Sequence, residues 1–287
     1  MKLILKSPES LVNDRLNIFK KDIPCLDSSW HYHQEFELLF ISQSNGMRFV
    51  GDSVSQFSAG DLVLVGPYLP HLWRNDSSYS HHIQHPKKVE TIIVKFRKGF
   101  IGKDTFDLPE FRTISELLEL SKFGVSFGKT TSNRLKKDLL QIVDLPAALQ
   151  ATKLLEILYQ LAITQNRSVL SSTDMRQYTF EHAHRIDTVL KFISDNYDSY
   201  LTLNDVADIA CLTPNSFCRF FKRVTNKSFT QFLNEVRIRN AARLLVQKNL
   251  PISEICYMVG YRSITNFNRQ FKEIIGNTPK QYRANHT

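Results

Sequence analysis

Three histidines and one glutamate near the N-terminus carry side chains that can hold a metal ion or hydrogen-bond a small molecule. His31 and His33 stand two residues apart, Glu37 follows, and His71 comes later in the chain. Because side chains alternate between the two faces of a strand, a strand through this segment places His31 and His33 on the same face. Imidazole nitrogens with a carboxylate suit zinc, nickel, iron or manganese. The pattern therefore indicates metal ligands, polar groups lining a pocket, or histidines with a structural role.

A second group of polar residues lies on the outward side of two predicted helices near the C-terminus. Each helix has phenylalanines at the i, i+4 spacing of a buried stripe, Phe217 with Phe221 and Phe267 with Phe271. The opposite sides carry amide, hydroxyl and cationic groups, which contact base edges and phosphates in DNA. The predicted DNA-binding residues are Thr213, Asn215, Ser216, Arg219, Lys222, Arg223, Thr265, Asn268, Arg269, Lys272 and Lys280.

An internal repeat puts these two helices in equivalent positions. Residues 203–207 return 49 residues later as 252–256, and residues 217–222 return 50 residues later as 267–272. The one-residue difference falls in a turn, where a change of length is tolerated. Each unit is predicted as helix, short turn, helix, and the apolar pattern of residues 229–245 predicts a helix that joins them. Two such units on one chain can enter successive major grooves, about 34 Å apart.

Residues with known capping preferences mark the ends of the two outward-facing helices. Thr213 and Pro214 are predicted as the N-cap and first residue of the first one. Asn226 and Gly276 are predicted to end the two helices, since both residue types accept a left-handed conformation.

The elements before the repeat change character along the chain. Four short β-rich runs separated by turn residues occupy 38–41, 47–50, 62–65 and 91–94. Apolar residues at three and four spacing then predict helices within 114–143 and 147–161. Residues 166–182 are polar and are predicted to be a linker, and His81, His82 and His85 are predicted to lie in an exposed loop.

Charge and cysteine content limit the classes of function. The net charge is +9, and residues 183–287 hold 15 Lys and Arg against 8 Asp and Glu, which favours a polyanionic partner for that part. The four cysteines form no CxxC pair, which argues against a zinc module or a disulfide framework. The first residues lack the apolar run of a signal peptide, and no stretch is apolar enough to span a membrane. We expect a cytoplasmic, nucleoid-associated protein.

The segment from Gly260 to Arg283 resembles the signature of the AraC family of regulators. It contains glycine and an aromatic residue, then Phe-x-Arg-x-Phe-Lys, then Gly-x-Thr-Pro-x-x-Tyr-Arg. The resemblance covers roughly residues 183–285 and implies a double helix-turn-helix domain. Cys211 and Asn226 stand where the family usually has glycine, and Cys256 stands where it usually has alanine. None of these departures removes an outward polar residue, so they bear on stability.

The N-terminal motif resembles the cupin-like sensor domain common in AraC-type regulators. In cupin barrels a set of this kind binds a metal, whereas in these regulators the motif often persists without metal and the barrel holds a small effector. Our interpretation favours an effector pocket that needs no cofactor. Two alternatives remain: a metal ion bound by the three histidines and Glu37, or a purely structural role for these residues. The predicted effector-binding residues are His31, His33, Glu37, His71 and Trp73.

The predicted fold class is α+β with two domains. Residues 1–165 are expected to form a cupin-like β-barrel with a helical extension, 166–182 a linker, and 183–287 an all-α domain with two helix-turn-helix units. The segment from Ala147 to Leu161 is typical of a helix packed on the barrel, and the resemblance implies that it mediates dimerisation.

The predicted function is sequence-specific transcription regulation. The expected partners are double-stranded DNA in two successive major grooves, an unknown small effector, RNA polymerase if the protein is an activator, and a second copy of the chain. The alternative is a metal-dependent cupin enzyme fused to a DNA-binding domain. We expect that the protein is not an enzyme, because the sequence has no Ser-His-Asp order and no glycine-rich phosphate loop. A cupin enzyme would also leave the C-terminal DNA-binding half without an explanation.

Overall fold

The chain folds into two compact units. The computed structural model describes residues 15–26, 29–75, 88–174 and 183–286. Within these residues the first unit takes in 15–53 and 57–174, and the second takes in 54–56 and 183–286. The predicted loop around His81 therefore lies outside the described residues.

The first unit is built on two antiparallel sheets. The larger has the strand order β1-β7-β2-β5-β8-β9 and the smaller has the order β4-β3-β6. The strands are β1 (Leu16–Ile23), β2 (Phe36–Gln43), β3 (Gly46–Val50), β4 (Ser53–Phe57), β5 (Leu62–Val65), β6 (His71–Asn75), β7 (Val89–Phe96), β8 (Val125–Phe127) and β9 (Arg167–Val169).

The predicted β-rich region is confirmed, but the cupin barrel is not. The described strands form two open sheets, with β1 and β9 at the edges of one and β4 and β6 at the edges of the other. A closed barrel needs continuous strand pairing around its circumference, and the described residues do not provide it.

Alternation along β2 divides the first unit into two cores. Phe36, Leu38 and Phe40 pack into a cluster with the helices of this unit. Leu39 and Ile41, on the other face, pack with residues of the smaller sheet such as Trp73. Both faces of β2 are buried from Phe36 to Ile41, and Glu37 is the polar residue in that part of the strand. Side-chain alternation places Glu37 on the same face as Leu39 and Ile41.

Three helices cover the outer face of the larger sheet, as the apolar spacing predicts. They are α1 (Arg112–Leu120), α2 (Lys129–Gln141) and α3 (Ala147–Ile163). Leu154, Leu158 and Leu161 of α3 are fully buried, whereas Leu149, Tyr159 and Ile163 on the same helix are about half exposed.

Part of the predicted linker belongs to the first unit. Residues 167–169 form β9, which pairs with β8 at the edge of the larger sheet. After it, Asp52 accepts hydrogen bonds from the Ser171 hydroxyl at 3.0 Å and from the backbone and hydroxyl of Ser172. The polar composition that suggested a linker here instead supplies the donors for a buried carboxylate. We call Asp52, Ser171 and Ser172 the Asp52 latch.

Residues 183–286 of the second unit are helical, as predicted. Its helices are α4 (Ala183–Asn196), α5 (Leu203–Ile209), α6 (Pro214–Thr225), α7 (Phe229–Gln247), α8 (Ile252–Met258), α9 (Ile264–Ile275) and α10 (Pro279–Ala284). Helices α5 and α6 form the first predicted unit of the repeat, α8 and α9 the second, and α7 joins them. Among the described residues, no helix combines the length and apolar character that crossing a membrane requires.

Candidate functional site

Helices α6 and α9 have the same type of N-cap and the same type of C-cap. The Thr213 hydroxyl accepts a hydrogen bond from the backbone of Ser216 at 3.3 Å, and the Ser263 hydroxyl does the same for Asn266 at 3.4 Å. These bonds satisfy N–H groups that a helix start leaves without an intrahelical partner. At the other ends the cap residues are left-handed, Asn226 with φ 56° and Gly276 with φ 88°. The predicted N-cap of α6 and the predicted left-handed ends of both helices are confirmed, and the structure adds Ser263 as the N-cap of α9.

The turns inside the two units differ in length and in strain. Cys211 has φ 52° and Gly260 has φ 84°, both in the left-handed region. One residue separates Cys211 from the cap Thr213, whereas two separate Gly260 from the cap Ser263. A Cβ on Gly260 would lie 2.7 Å from the carbonyl oxygen of Asp198. Glycine at 260 thus meets a conformational and a steric requirement, while Cys211 adopts a conformation that is unfavourable for a residue with a Cβ.

The residues predicted to contact DNA lie on the surface of the second unit. Phe217, Phe221, Phe267 and Phe271 are fully buried, so the opposite faces of α6 and α9 point outward. Ser216 is half-buried, and its hydroxyl accepts a hydrogen bond from Thr213 within the cap. The exposed members of the predicted set are Thr213, Asn215, Arg219, Lys222, Arg223, Thr265, Asn268, Arg269, Lys272 and Lys280.

Arg269 does not pair with the carboxylate one turn further along its helix. Its guanidinium donates to the amide oxygen of Asn266 at 3.0 Å, and Glu273 instead accepts a hydrogen bond from Gln270. A bond to a neutral amide leaves the charge of Arg269 uncompensated by that partner. The side chain therefore keeps the charge that phosphate or guanine contacts use.

Two other arginines of this unit hold the scaffold together. Arg237 donates to the backbone oxygens of Tyr197 and Ser199, each at 2.7 Å, and lies over the ring of Tyr261. Burial lowers the pKa of Arg237. Arg283 donates to the backbone oxygens at the end of α7 and in the loop after it. Part of the basic charge of the second unit is thus committed to packing, which the charge count did not reveal.

The three histidines and Glu37 come together inside the first unit. One ligand atom of each lies within 4.8 Å of those of the others, and all four residues are buried. The side chains do not come together on one continuous strand, as the sequence suggested for His31 and His33. Residue 31 forms an isolated bridge with His71, and His33 precedes the start of β2. We call His31, His33, Glu37 and His71 the histidine cluster.

Trp73 stands beside the histidine cluster. It follows His71 by two residues on β6, and the two rings are 5.8 Å apart in an edge-on arrangement. Its side chain is buried. All five residues predicted for effector binding are therefore neighbours in the structure.

Backbone carbonyls fix the orientation of all three imidazole rings. The Nδ1 atoms of His31, His33 and His71 lie 2.7–2.9 Å from the backbone oxygens of residues 29, 35 and 69. A carbonyl only accepts, so each Nδ1 carries a proton. Burial lowers the pKa of His31 to about 4 and holds that of His71 well below its ordinary value.

Glu37 is ionised in spite of its burial. Removal from water by itself raises the pKa of a carboxylic acid. For Glu37 this is outweighed by the hydrogen bond with His33 and the positive charge of Lys95, so its pKa lies well below the ordinary value. The His33 Nε2 lies 3.0 Å from one carboxylate oxygen, and the His71 Nε2 lies 3.9 Å from the other.

Lys95 is a member of this site that the sequence did not reveal. It stands directly opposite Glu37 in the pairing of β2 with β7, and its ammonium nitrogen lies 3.1 Å from the Glu37 carboxylate. Lys95 is buried. The signal in the sequence is the alternation of β7. Ile92 and Val94 pack towards the helices and Ile93 towards the smaller sheet, so Lys95 lies on the same face as Ile93.

Known proteins resemble parts of this chain. Residues 206–285 match the model of a family described as helix-turn-helix domain. The TetD protein of transposon Tn10 from Escherichia coli is 37% identical over 112 residues, which make up 39% of this chain and 79% of TetD. The melibiose operon regulatory protein of E. coli K12 is 35% identical over 98 residues, 34% of this chain and 32% of that protein. A solved structure, the C-terminal domain of the response regulator AraT from Geobacillus stearothermophilus, is 31% identical with a TM-score of 0.35, covering 36% of this chain and 88% of that one.

The match to the melibiose operon regulatory protein thus spans about a third of that protein's length. These relatives lend no support to the alternative of a metal-dependent cupin enzyme.

Proposed function

Since this chain belongs to the AraC family of transcription regulators, we propose that it binds specific DNA sequences through α6 and α9 and that its first unit senses an effector. Each of the two helices enters one major groove, and α7 keeps the two in register along one face of the DNA.

The outward residues of α6 and α9 divide into two roles. Amide, hydroxyl and most guanidinium groups hydrogen-bond base edges, whereas the ammonium groups and the Arg223 guanidinium position the protein on phosphates. Base reading is assigned to Asn215, Arg219, Thr265, Asn268 and Arg269. Phosphate contact is assigned to Lys222, Arg223, Lys272 and Lys280, with Thr213 and Ser216 donating near the start of α6.

The observation that carries this proposal is the equivalence of the two outward faces. Both helices have hydroxyl N-caps, left-handed ends and phenylalanines facing inward, and both present exposed polar residues on the opposite side. Packing alone requires the buried phenylalanines, but it does not require a similar polar face on each copy. Arg219 and Lys222 have their counterparts in Arg269 and Lys272.

The test is a selection of genomic fragments by the full-length protein at low salt. We expect a small set of related sequences to be enriched, with an affinity that falls steeply as salt rises because phosphate contacts release counterions. The substitution Lys248→Ala, at an exposed residue after α7 outside both faces, serves as a control that retains binding. Failure to bind any fragment at low salt contradicts the proposal.

The effector site of the sensor is proposed at the histidine cluster with Trp73. A ligand can change DNA binding only if it binds one arrangement of the protein more tightly than another. Such coupling is typically about 1–3 kcal/mol and is reciprocal, so operator DNA changes effector affinity by the same factor. If His33→Ala and His71→Ala both fold and respond like the wild type to every inducing condition, the sensing site lies elsewhere.

Further partners follow from the same proposal. The exposed Leu149, Tyr159 and Ile163 on α3 provide an apolar surface for a second copy of the chain. RNA polymerase is the expected partner if the protein activates transcription, and the cytoplasm is the expected location.

A further inference from the structure

The loop between α4 and α5 contacts the second helix-turn-helix, although it leads into the first one along the chain. Tyr197, which directly follows α4, packs against the buried cluster that contains Phe267 and Phe271 of α9. The backbone oxygen of Asp198 lies so close to Gly260 that a Cβ there would be 2.7 Å from it. We call residues 197–200 the brace loop. The brace loop therefore rests on the core and on the turn of the second helix-turn-helix.

An exposed side-chain pair extends this contact. The guanidinium of Arg262, in the turn before α9, lies over the ring of Tyr200 at 4.5 Å from its centroid. Such a cation–π contact at an exposed site favours the paired arrangement by about two- to fivefold. Because Tyr200 lies three residues before the start of α5, the pair ties the beginning of the first helix-turn-helix to the turn of the second.

Helix α7 also holds the brace loop. Arg237 donates to the backbone oxygens of Tyr197 and Ser199, each at 2.7 Å, and its guanidinium lies over the ring of Tyr261. The Tyr261 hydroxyl donates to Asn234 of α7 at 3.0 Å. One arginine thus joins α7 both to the brace loop and to the turn of the second helix-turn-helix.

Two connections restrict the two helix-turn-helix units more than one connection does. A single helix such as α7 fixes their distance, but each unit can still pivot about its end of the helix. A second contact away from the helix opposes this pivoting, and the brace loop supplies one. Linked binding modules gain affinity only where the link lets both engage at once. A stiffer link therefore confines this gain to fewer arrangements of the two half-sites.

We infer that the brace loop, through the contact of Tyr200 with Arg262, fixes the relative position of α6 and α9 and so selects the spacing of the two half-sites. The inference deepens the proposed DNA binding and rests on it for the choice of spacing. Tyr200 and Arg262 are positioning residues, because they act on which sites are bound through α6 and α9. One extra base pair moves a half-site by about 3.4 Å and rotates it by about 36° around the DNA axis.

The first experiment measures the spacing preference of the full-length protein. The DNAs carry the selected site with its half-sites in place, or moved apart or together by one base pair. We expect the wild type to bind the selected spacing at least about tenfold more tightly than either neighbour. Tyr200→Ala should reduce this preference by about two- to fivefold, since a distorted complex no longer sacrifices the cation–π contact.

Two variants serve as controls for the loss of the ring. Tyr200→Phe keeps the aromatic face and should retain the wild-type preference. Tyr257→Ala removes another largely exposed tyrosine, on α8, and should also retain it.

The second experiment measures the distance between α6 and α9 without DNA. Cys218 is exposed on α6, and residue 268 is its counterpart in the repeat on α9. Spin labels are attached to Cys218 and to Asn268→Cys in a full-length chain whose other cysteines, except the buried Cys256, are replaced by serine. Pulsed electron paramagnetic resonance should give a narrow distance distribution for this chain and for Tyr200→Phe in it, and a broader one for Tyr200→Ala.

The inference is overturned if Tyr200→Ala keeps either the wild-type spacing preference or the narrow distance distribution. It is also overturned if the wild type binds all three spacings equally, or if Tyr200→Phe changes both measurements as much as Tyr200→Ala does. A wild type that binds no DNA contradicts the proposed function instead. In that case the distance distribution alone decides whether the brace loop fixes the two helices.

Discussion

Substitutions at three residues with a left-handed backbone should separate conformational strain from steric conflict. Gly260, Gly276 and Cys211 all have positive φ. A Cβ on Gly260 would meet the backbone oxygens of Asp198 and Tyr197 at 2.7 and 2.9 Å, whereas a Cβ on Gly276 would meet nothing within 4 Å. The two glycines are therefore a matched pair, with nearly equal φ of 84° and 88° but different surroundings.

The expected changes in the free energy of unfolding follow from three contributions. A left-handed residue with a Cβ costs about 1–2 kcal/mol, and replacing glycine recovers about 0.5–1 kcal/mol of unfolded-state entropy. Gly276→Ala should therefore destabilise the second unit by about 0.5–1 kcal/mol. Gly260→Ala adds overpacking of about 1–3 kcal/mol, because Arg237 holds the opposing loop by two hydrogen bonds. The total for Gly260→Ala is about 1.5–4 kcal/mol.

Cys211→Gly should act in the opposite direction. Relief of strain of about 1–2 kcal/mol exceeds the entropy cost of about 0.5–1 kcal/mol, and the exposed thiol contributes little packing. We expect the second unit to become about 0.5–1 kcal/mol more stable.

The assay is urea unfolding of the full chain followed by two signals. Both tryptophans, Trp30 and Trp73, belong to the first unit, so their fluorescence reports that unit. Circular dichroism at 222 nm is dominated by helices and so reports mainly the second unit. The circular dichroism transition should shift for each variant while the fluorescence transition stays in place. Equal destabilisation by Gly260→Ala and Gly276→Ala, or a less stable Cys211→Gly, would refute the reasoning.

Three further predictions concern binding, pH and the Asp52 latch. Asn268→Ala should reduce discrimination at particular base pairs by about 1–3 kcal/mol. Lys272→Ala should instead weaken binding to all sequences and lower by about one the slope of log affinity against log salt concentration. The assigned roles are contradicted if both variants have the same effect on a selected DNA pool and on a salt titration. Burial raises the pKa of Tyr261, whose hydroxyl donates to Asn234 at 3.0 Å. Its contribution is therefore fully present below the unfolded pKa of about 10 and is lost as pH rises above it, so circular dichroism should show stability falling above pH 10 more in the wild type than in Tyr261→Phe. Asp52→Ala should destabilise the first unit by about 1–3 kcal/mol and speed proteolysis near residues 171–174. Asp52→Asn should have a smaller effect, because it keeps an acceptor. If the unfolding of Asp52→Ala, followed by fluorescence, matches that of the wild type, the latch does not stabilise the unit.

The sequence predicts best where local chemistry decides the structure. The caps of α6 and the left-handed end at Gly276 follow from residue types that have few other solutions. The apolar runs of β2 and β5 were likewise evident, since both faces of these strands are buried. Strand β1 was missed because it is mostly exposed or half-buried and carries charged residues.

Long-range register explains what the sequence could not show. Alternation in β7 indicates the face on which Lys95 lies, but nothing within the strand indicates that it faces Glu37. Only the antiparallel pairing of β2 with β7 brings residues so distant in sequence opposite each other. Likewise, the serines of the Asp52 latch looked like a linker because their partner lies more than a hundred residues away.

The unequal turns and unequal outward residues of the two helix-turn-helix units give the proposed DNA complex a direction. A symmetric dimer reads an inverted repeat and is indifferent to which way round the site is placed. One chain that presents Asn215 on α6 and Thr265 on α9 reads two unlike half-sites in a fixed order, so its site has a left and a right end. Inverting that site in front of a promoter should leave its occupancy unchanged but reverse the orientation of the bound protein relative to the promoter. The sign or the strength of regulation should therefore change.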